Sequence, residues 1–210
     1  MSTHTISRNK TDLGLGHRGR DRNSEGVRFS DRWRTPRWLF DKLDGVFKFD
    51  FDMCASDDNH LCSNYFTVSD DATTAELPDN ARSIFCNPPF SGKTKQKLLE
   101  RAPEIVGGGR RIVFILPADL YNIFFYDLIR NKADRVLVIN GRIGYGDPNT
   151  GDVTRTCDGV GTMIVVFDGA NEILLDSAWG LYKSKINFIL RRDLIDIEIA
   201  ELKERLTPND

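Results

Sequence analysis

The chain has 210 residues, 40% hydrophobic and 29% charged, with a mean hydropathy of −0.37 and a formal net charge of −2. That length carries one sizeable α/β core but not two complete domains, and no apolar run reaches the ~20 residues that cross a bilayer, so fibrous, disordered and membrane-spanning classes are excluded. A charge so near neutrality confines any contact with a polyanion to local basic patches.

Residues 1–29 set Arg8, Lys10, Arg18, Arg20, Arg22 and Arg28 among Ser, Thr, Gly and Asn, opposed only by Asp12, Asp21 and Glu25. Such low hydrophobicity predicts a flexible polar tail, and its charge predicts a basic arm able to touch phosphates. Met1 to Gly26 has no apolar stretch of the kind a secretory leader needs, so the expectation is a cytoplasmic protein without membrane contact. Thr35-Pro36 then predicts a helix start, with Thr as cap and Pro in the first turn, followed by Trp38, Leu39, Leu43 and Val46 at helical spacing. Phe47 to Cys54 alternates apolar with polar residues and predicts a strand, ending in a loop at Cys54-Ala55-Ser56. A shorter strand is expected over Asn64 to Val68, before an acidic loop at Ser69-Asp70-Asp71.

Ser83 to Asn87 reads as a buried strand that runs into Pro88-Pro89, and neither proline can donate to a ladder, so the strand must stop there. A helix is expected from Lys93 to Ile105, closed by Gly107-Gly108-Gly109; then a strand from Arg111 to Leu116, a helix from Ala118 to Arg130, and strands over Arg135 to Asn140 and Thr162 to Phe167. Continuous apolar strands alternating with helices predict an α/β fold around a mostly parallel sheet covered on both faces. Val136–Ile139 and Met163–Phe167 are joined by a glycine-rich stretch without helical pattern, which leaves two readings, a terminal antiparallel hairpin or a mobile loop. Residues 171–190 show no clear pattern, whereas Arg191 to Leu206 predicts an amphipathic helix with Ile195, Ile199, Leu202 and Leu206 on one face. That face suits packing on the domain or on a second copy, as a homodimer. The four cysteines form no C-x-x-C pair and only three histidines are present, so neither a metal site nor a disulfide framework is expected.

Asn87-Pro88-Pro89-Phe90 carries the chemistry. A planar exocyclic amine delocalises its lone pair into the ring and is a weak nucleophile. An amide oxygen from Asn87 and the backbone carbonyl of Pro88 can accept its two hydrogens and favour a tetrahedral nitrogen, while Phe90 can stack on a base. The prolines fix φ near −65°, which holds the acceptors in place beforehand. The position at the carboxyl end of a buried strand is where ligands bind in open α/β sheets.

With Asp31-Arg32-Trp33-Arg34-Thr35-Pro36-Arg37-Trp38-Leu39-Phe40, Phe51-Asp52-Met53-Cys54-Ala55, Tyr65-Phe66-Thr67 followed by Asp70-Asp71, Asn87-Pro88-Pro89-Phe90 and Gly141-Arg142-Ile143, the sequence resembles the phage-type DNA N6-adenine methyltransferases, over about Ser30 to Gly169. The resemblance implies a Rossmann-like methyltransferase sheet with a reversed final hairpin, a catalytic domain over 30–170 and a C-terminal extension over 171–210. It implies S-adenosylmethionine as methyl donor and an adenine flipped out of double-stranded DNA. Carried over residue by residue, Asn87, Pro88, Pro89 and Phe90 would be catalytic. Thr35 and Pro36 would lie against the cofactor, Asp52 and Ala55 at its methionine part, and Asp71, or Asp70 beside it, near its adenosine part; the two acidic assignments are exchangeable. Many methyltransferases have a glycine-rich turn where this chain has Asp52-Met53-Cys54-Ala55-Ser56, a departure the phage-type family shares.

No segment between Asp52 and Asn87 is long enough for a separate recognition domain, so loops must supply DNA contacts. Lys93, with Lys95 and Lys97, forms one basic patch, and Arg142 and Tyr145 lie in the glycine-rich stretch that could reach a groove. Methylation of RNA adenine or of protein glutamine, and a nucleic-acid-binding module without catalysis, are the competing readings.

Overall fold

The structure is a computed structural model that describes residues 26–90, 92–130, 132–139, 143–147, 161–169 and 186–191. Helix α1 spans Arg37–Phe47 and α2 spans Thr94–Gly107; strands β1 (Phe51–Asp52), β2 (Ser83–Cys86), β3 (Arg111–Pro117), β4 (Arg135–Ile139), β5 (Thr162–Asp168) and β6 (Ile186–Arg191) form one sheet in the order β1-β2-β3-β5-β4-β6. The first three strands are parallel, and β5 is antiparallel to both β3 and β4, as is β6 to β4. The architecture is mixed α/β. The expected antiparallel pairing of 136–139 with 163–167 forms, but β5 inserts between β3 and β4 instead of closing the sheet edge, and the antiparallel pairings outnumber the parallel ones. The reason is the row of hydrogen-bonding groups on β3, which accepts β5 over seven residue pairs from Arg111↔Asp168 to Pro117↔Thr162.

Alternation along the strands sends side chains to two cores. Ile84, Cys86, Ile112, Phe114 and Leu116 face Leu98, Leu99, Ala102 and Ile105 of α2. Phe85, Val113, Ile115, Ile164 and Val166 face Leu39, Phe40, Leu43 and Phe47 of α1. Among the described residues no helix is long and apolar enough to cross a membrane.

Several predicted boundaries move, each for a local reason. Phe47 belongs to α1, not to a strand, because Lys48 adopts a left-handed φ of 53° and its N–H closes the helix on the Asp44 carbonyl, which leaves β1 two residues long. Tyr65 makes only a parallel bridge to Asp52, and Val68–Asp70 winds into a 3-10 turn boxed by Thr67 and Asp70. The predicted 118–130 helix is reduced to its last turns, ending in the π-helical segment Phe125–Arg130; a turn between Asp119 and Asn122 comes first, and Asn122 Oδ1 accepts the Phe124 N–H. Arg191, expected to open a helix, ends β6 instead, whose Ile-Asn-Phe-Ile-Leu composition suits an extended chain. The tail at residues 1–25, Arg142 and the remainder of the predicted C-terminal helix lie outside the described residues.

Gly169 follows β5 where the chain passes against α2. A Cβ there would overlap the Val106 carbonyl, and the Gly169 N–H is already committed to the Arg110 oxygen at 2.9 Å, so neither backbone can give way. Gly169→Ala is expected to cost about 1–3 kcal/mol, as overpacking does, measurable as a lower urea midpoint at unchanged m-value.

Candidate active site

The carboxyl ends of β1 and β2 open on a cavity of about 620 Å³, a size typical of small-molecule sites, lined chiefly by four separate parts of the chain, with Thr94 of α2 beside them. The segment before α1 contributes Trp33 and Thr35, β1 and its loop contribute Asp52 to Ser56, the turn after Thr67 contributes Asp71 and Ala72, and the end of β2 contributes Asn87 and Pro89.

Asn87 leaves β2 where the prolines end the ladder. Its Nδ2 donates to the Thr35 hydroxyl at 2.9 Å, while its Oδ1 is buried and has no partner among the described residues. The amide is therefore oriented, with its acceptor kept unused at the cavity. Thr35 was expected to cap α1, yet no side-chain cap bond forms and Pro36 takes the cap position, because the Thr35 hydroxyl serves Asn87 instead. Two backbone hydrogen bonds between Arg34 and Gly146, 3.0 and 2.8 Å, pin this segment against the loop that carries Tyr145.

The Pro88 carbonyl accepts no hydrogen bond among the described residues. Phe90 does not line the cavity, but its half-buried ring packs edge-on against Trp33, which does, with centroids 6.4 Å apart, and against Tyr145 at 5.8 Å. Tyr145, placed by the sequence in a stretch that could reach a DNA groove, is instead 2% exposed, stacked beneath Trp33 at 5.6 Å with its hydroxyl 3.2 Å from that of Thr162. It supports Trp33 from below. Lys95 approaches the Phe90 carbonyl at 3.4 Å from half-buried surroundings, and burial pulls its ammonium below the usual lysine range against the opposing pull of Asp119 and Asp31. Lys93 is exposed at the start of α2.

On the β1 side of the cavity Asp52 is 3% exposed, and among the described residues its carboxylate accepts two backbone N–H groups, from Cys54 at 3.3 Å and Leu61 at 3.1 Å. Burial raises its pKa from 3.8 to about 6, in spite of those bonds and of His60 nearby. Of the two neighbouring acids, Asp71 lines the cavity, whereas Asp70 turns back to accept from the Thr67 N–H and hydroxyl. Asp71 holds a left-handed φ of 50° and binds the Thr73 and Thr74 hydroxyls. Of the predicted cofactor group, Thr35, Asp52, Ala55 and Asp71 meet at one cavity, while Pro36 and Asp70 do not line it. Trp33 is the addition that sequence patterns alone did not single out as a site residue, and Lys95, read as part of a basic patch with Lys93 and Lys97, is half-buried beside the Phe90 carbonyl.

A cavity whose lining includes both a buried carboxylate and an amide whose oxygen has no partner among the described residues, at the mouth of parallel strands, accords with what known proteins show. The family model described as DNA N-6-adenine-methyltransferase (Dam) matches residues 24–191. The chain belongs to that family. It is 30% identical over 126 residues to the DNA N-6-adenine-methyltransferase of Haemophilus phage HP1, covering 59% of this chain and 71% of the phage protein. It is 27% identical over 109 residues to the DNA N-6-adenine-methyltransferase of Escherichia phage T1, where the match covers 51% of this chain and less than half, 44%, of the relative. The family match includes the whole wall of the cavity, from Trp33 through Asp52 and Asp71 to Asn87 and Pro89.

Proposed function

We propose that this Dam-family chain transfers a methyl group from S-adenosylmethionine to N6 of an adenine turned out of double-stranded DNA, within a Rossmann-like methyltransferase fold. The observation that carries this reading is the Asn87 Oδ1, a buried acceptor kept free and aligned by Thr35. A buried acceptor without a partner is costly, and an amine hydrogen of the substrate would satisfy it. The Pro88 carbonyl would take the second hydrogen, drawing the nitrogen lone pair out of the ring. Phe90, braced edge-on by two aromatic rings, offers its remaining surface to the base.

The residues present fit the cofactor. Asp52 is a buried carboxylate that forms no salt bridge among the described residues, suited to an ammonium group, and Asp71 offers a second carboxylate to hydroxyls. When bound, S-adenosylmethionine supplies an electrophilic methyl group on a positively charged sulfur. The protein's part is to hold both partners, exclude water and localise the lone pair.

The catalytic group of the proposal is thus Asn87, Pro88, Pro89 and Phe90, with the cofactor held by Thr35, Asp52, Ala55 and Asp71; Lys93 is a phosphate contact at the start of α2. Incubation with methyl-labelled S-adenosylmethionine and unmethylated DNA, followed by nucleoside analysis, tests the function. The expected product is N6-methyladenine in DNA; label appearing only in RNA or in protein glutamine would overturn the reading.

Asp52 adds a pH dependence. A cation stabilises the ionised carboxylate, and protonation removes that attraction, so cofactor affinity is expected to be constant above about pH 6 and to weaken as pH falls through it, approaching about tenfold per unit. The sign for stability is opposite: the fold favours the neutral acid, so between 3.8 and about 6 rising pH lowers the contribution of Asp52. Calorimetric titration with S-adenosylhomocysteine checks the first, and Asp52→Asn should give a weak, pH-independent affinity; a pH dependence that survives this substitution would remove Asp52 from the role.

A further inference from the structure

Trp33, which lines the same cavity, carries a second buried polar atom without a partner among the described residues: its indole Nε1, a hydrogen-bond donor. Trp33 is 8% exposed, stacked on Tyr145 and abutted edge-on by Phe90, so its ring is fixed by packing and does not swing out to water. Orphaned buried donors are rare in folded proteins, and one that lines a cavity is best explained by a ligand acceptor. Trp33 stands two residues before Thr35, whose hydroxyl holds the Asn87 amide, and the chain leaves Trp33 extended, with ψ of 136°. In an extended segment residues two apart project to the same side. The fold therefore assembles one free donor and one free acceptor at a single site from positions 54 residues apart, 87 less 33.

That pairing matches the edge of one kind of base. Adenine carries its amino group between two ring acceptors, N1 and N7. We propose that Trp33 reads the target base, its indole N–H donating to the ring nitrogen beside the amino group that Asn87 engages; this rests on the Asn87 reading above. Guanine would set O6 against the Asn87 oxygen and, on its pairing edge, N1–H against the indole N–H, so both contacts would become like against like. The braced aromatic cluster of Trp33, Tyr145 and Phe90 is then the platform that holds the reading group rigid, which is why Tyr145 is buried beneath it.

The test crosses protein and substrate changes. Once the methylated position is located by sequencing, duplexes are made with 1-deazaadenine or 7-deazaadenine there, each of which loses one ring acceptor. Wild-type enzyme is expected to lose about tenfold in kcat/KM on one of the two, the loss of one hydrogen bond. Trp33→Phe, which keeps a ring and removes the N–H, should lose about tenfold on natural adenine and show no further loss on that same analogue. S-adenosylhomocysteine affinity of Trp33→Phe within about twofold of wild type would show the fold and cofactor site intact. Full additivity of the two losses, or wild-type indifference to both analogues, overturns the proposal while leaving adenine methylation standing. So does a Trp33→Phe defect that appears in S-adenosylhomocysteine affinity with the base discrimination unchanged, since the indole would then face the cofactor. Absence of methylation on natural adenine would instead defeat the functional reading itself.

Discussion

Asn87→Ala is expected to lower kcat for methyl transfer by about a hundred- to a thousandfold, the scale on which removal of one preorganised polar contact to a reacting group acts. Asn87 lines the cavity, its oxygen has no partner among the described residues, and its nitrogen is spent on Thr35, so truncation takes away the acceptor and frees the hydroxyl at once. Cofactor affinity should change by no more than a few fold, because Asp52 and Asp71 come from other segments of the lining. Single-turnover rates with labelled donor, set beside calorimetric titration of S-adenosylhomocysteine, separate the two. A variant that keeps the wild-type rate would remove Asn87 from the chemistry, and one that loses cofactor binding in proportion to rate would reassign it to the cofactor.

Asp168→Ala is expected to cost about 3–5 kcal/mol of stability, because it strands a buried cation. Asp168 and Arg111 face each other across the β3–β5 pairing at 2.9 Å, each side chain only 8% exposed, and the guanidinium also lies 5.8 Å from the centre of the Phe47 ring. The pair thus joins the inserted strand to its neighbour at one end of the sheet. Arg37 and Asp41 supply the contrast: they are as close, 2.7 Å, but 69% and 54% exposed, so Asp41→Ala should cost no more than about 0.5 kcal/mol. Replacing both buried partners, as Arg111→Met with Asp168→Leu, should recover most of the loss, since no unpaired charge remains. Urea unfolding of the set decides it: equal small losses for Asp168→Ala and Asp41→Ala would mean that burial does not govern the pair.

The electrostatics of the cavity are uneven in a way that composition could not reveal. A net charge of −2 left only local basic patches for a polyanion, and Arg28, Arg32 and Arg34 line the cavity together with Asp31, Asp52, Asp58 and Asp71. One of them, Arg34, is paired with Asp58 at 2.7 Å, and Lys95 sits half-buried beside the Phe90 carbonyl.

What the sequence determined by itself was everything set by near neighbours. Prolines at 88 and 89 stop β2 wherever it lies, helical spacing from Trp38 to Val46 commits α1, and the apolar runs at 111–116 and 162–167 become β3 and β5. The chemistry of Asn87-Pro88-Pro89-Phe90 was legible for the same reason, since acceptor, rigidity and ring follow one another along four residues. Tertiary structure decided what depends on residues far apart. Whether β5 would lie at an edge or between β3 and β4 turned on which strand edge was free to pair, and strand patterns are the same either way. Thr35 could have capped its own helix; only the approach of Asn87, 52 residues on, gave its hydroxyl a better partner. Asp70 and Asp71 are adjacent and chemically identical, and the 3-10 turn alone sends one back to Thr67 and the other to the cavity. Trp33 reads as one more core aromatic until folding buries its N–H without an acceptor, because a missing hydrogen bond is a property of the assembled surroundings and leaves no mark on the residue itself.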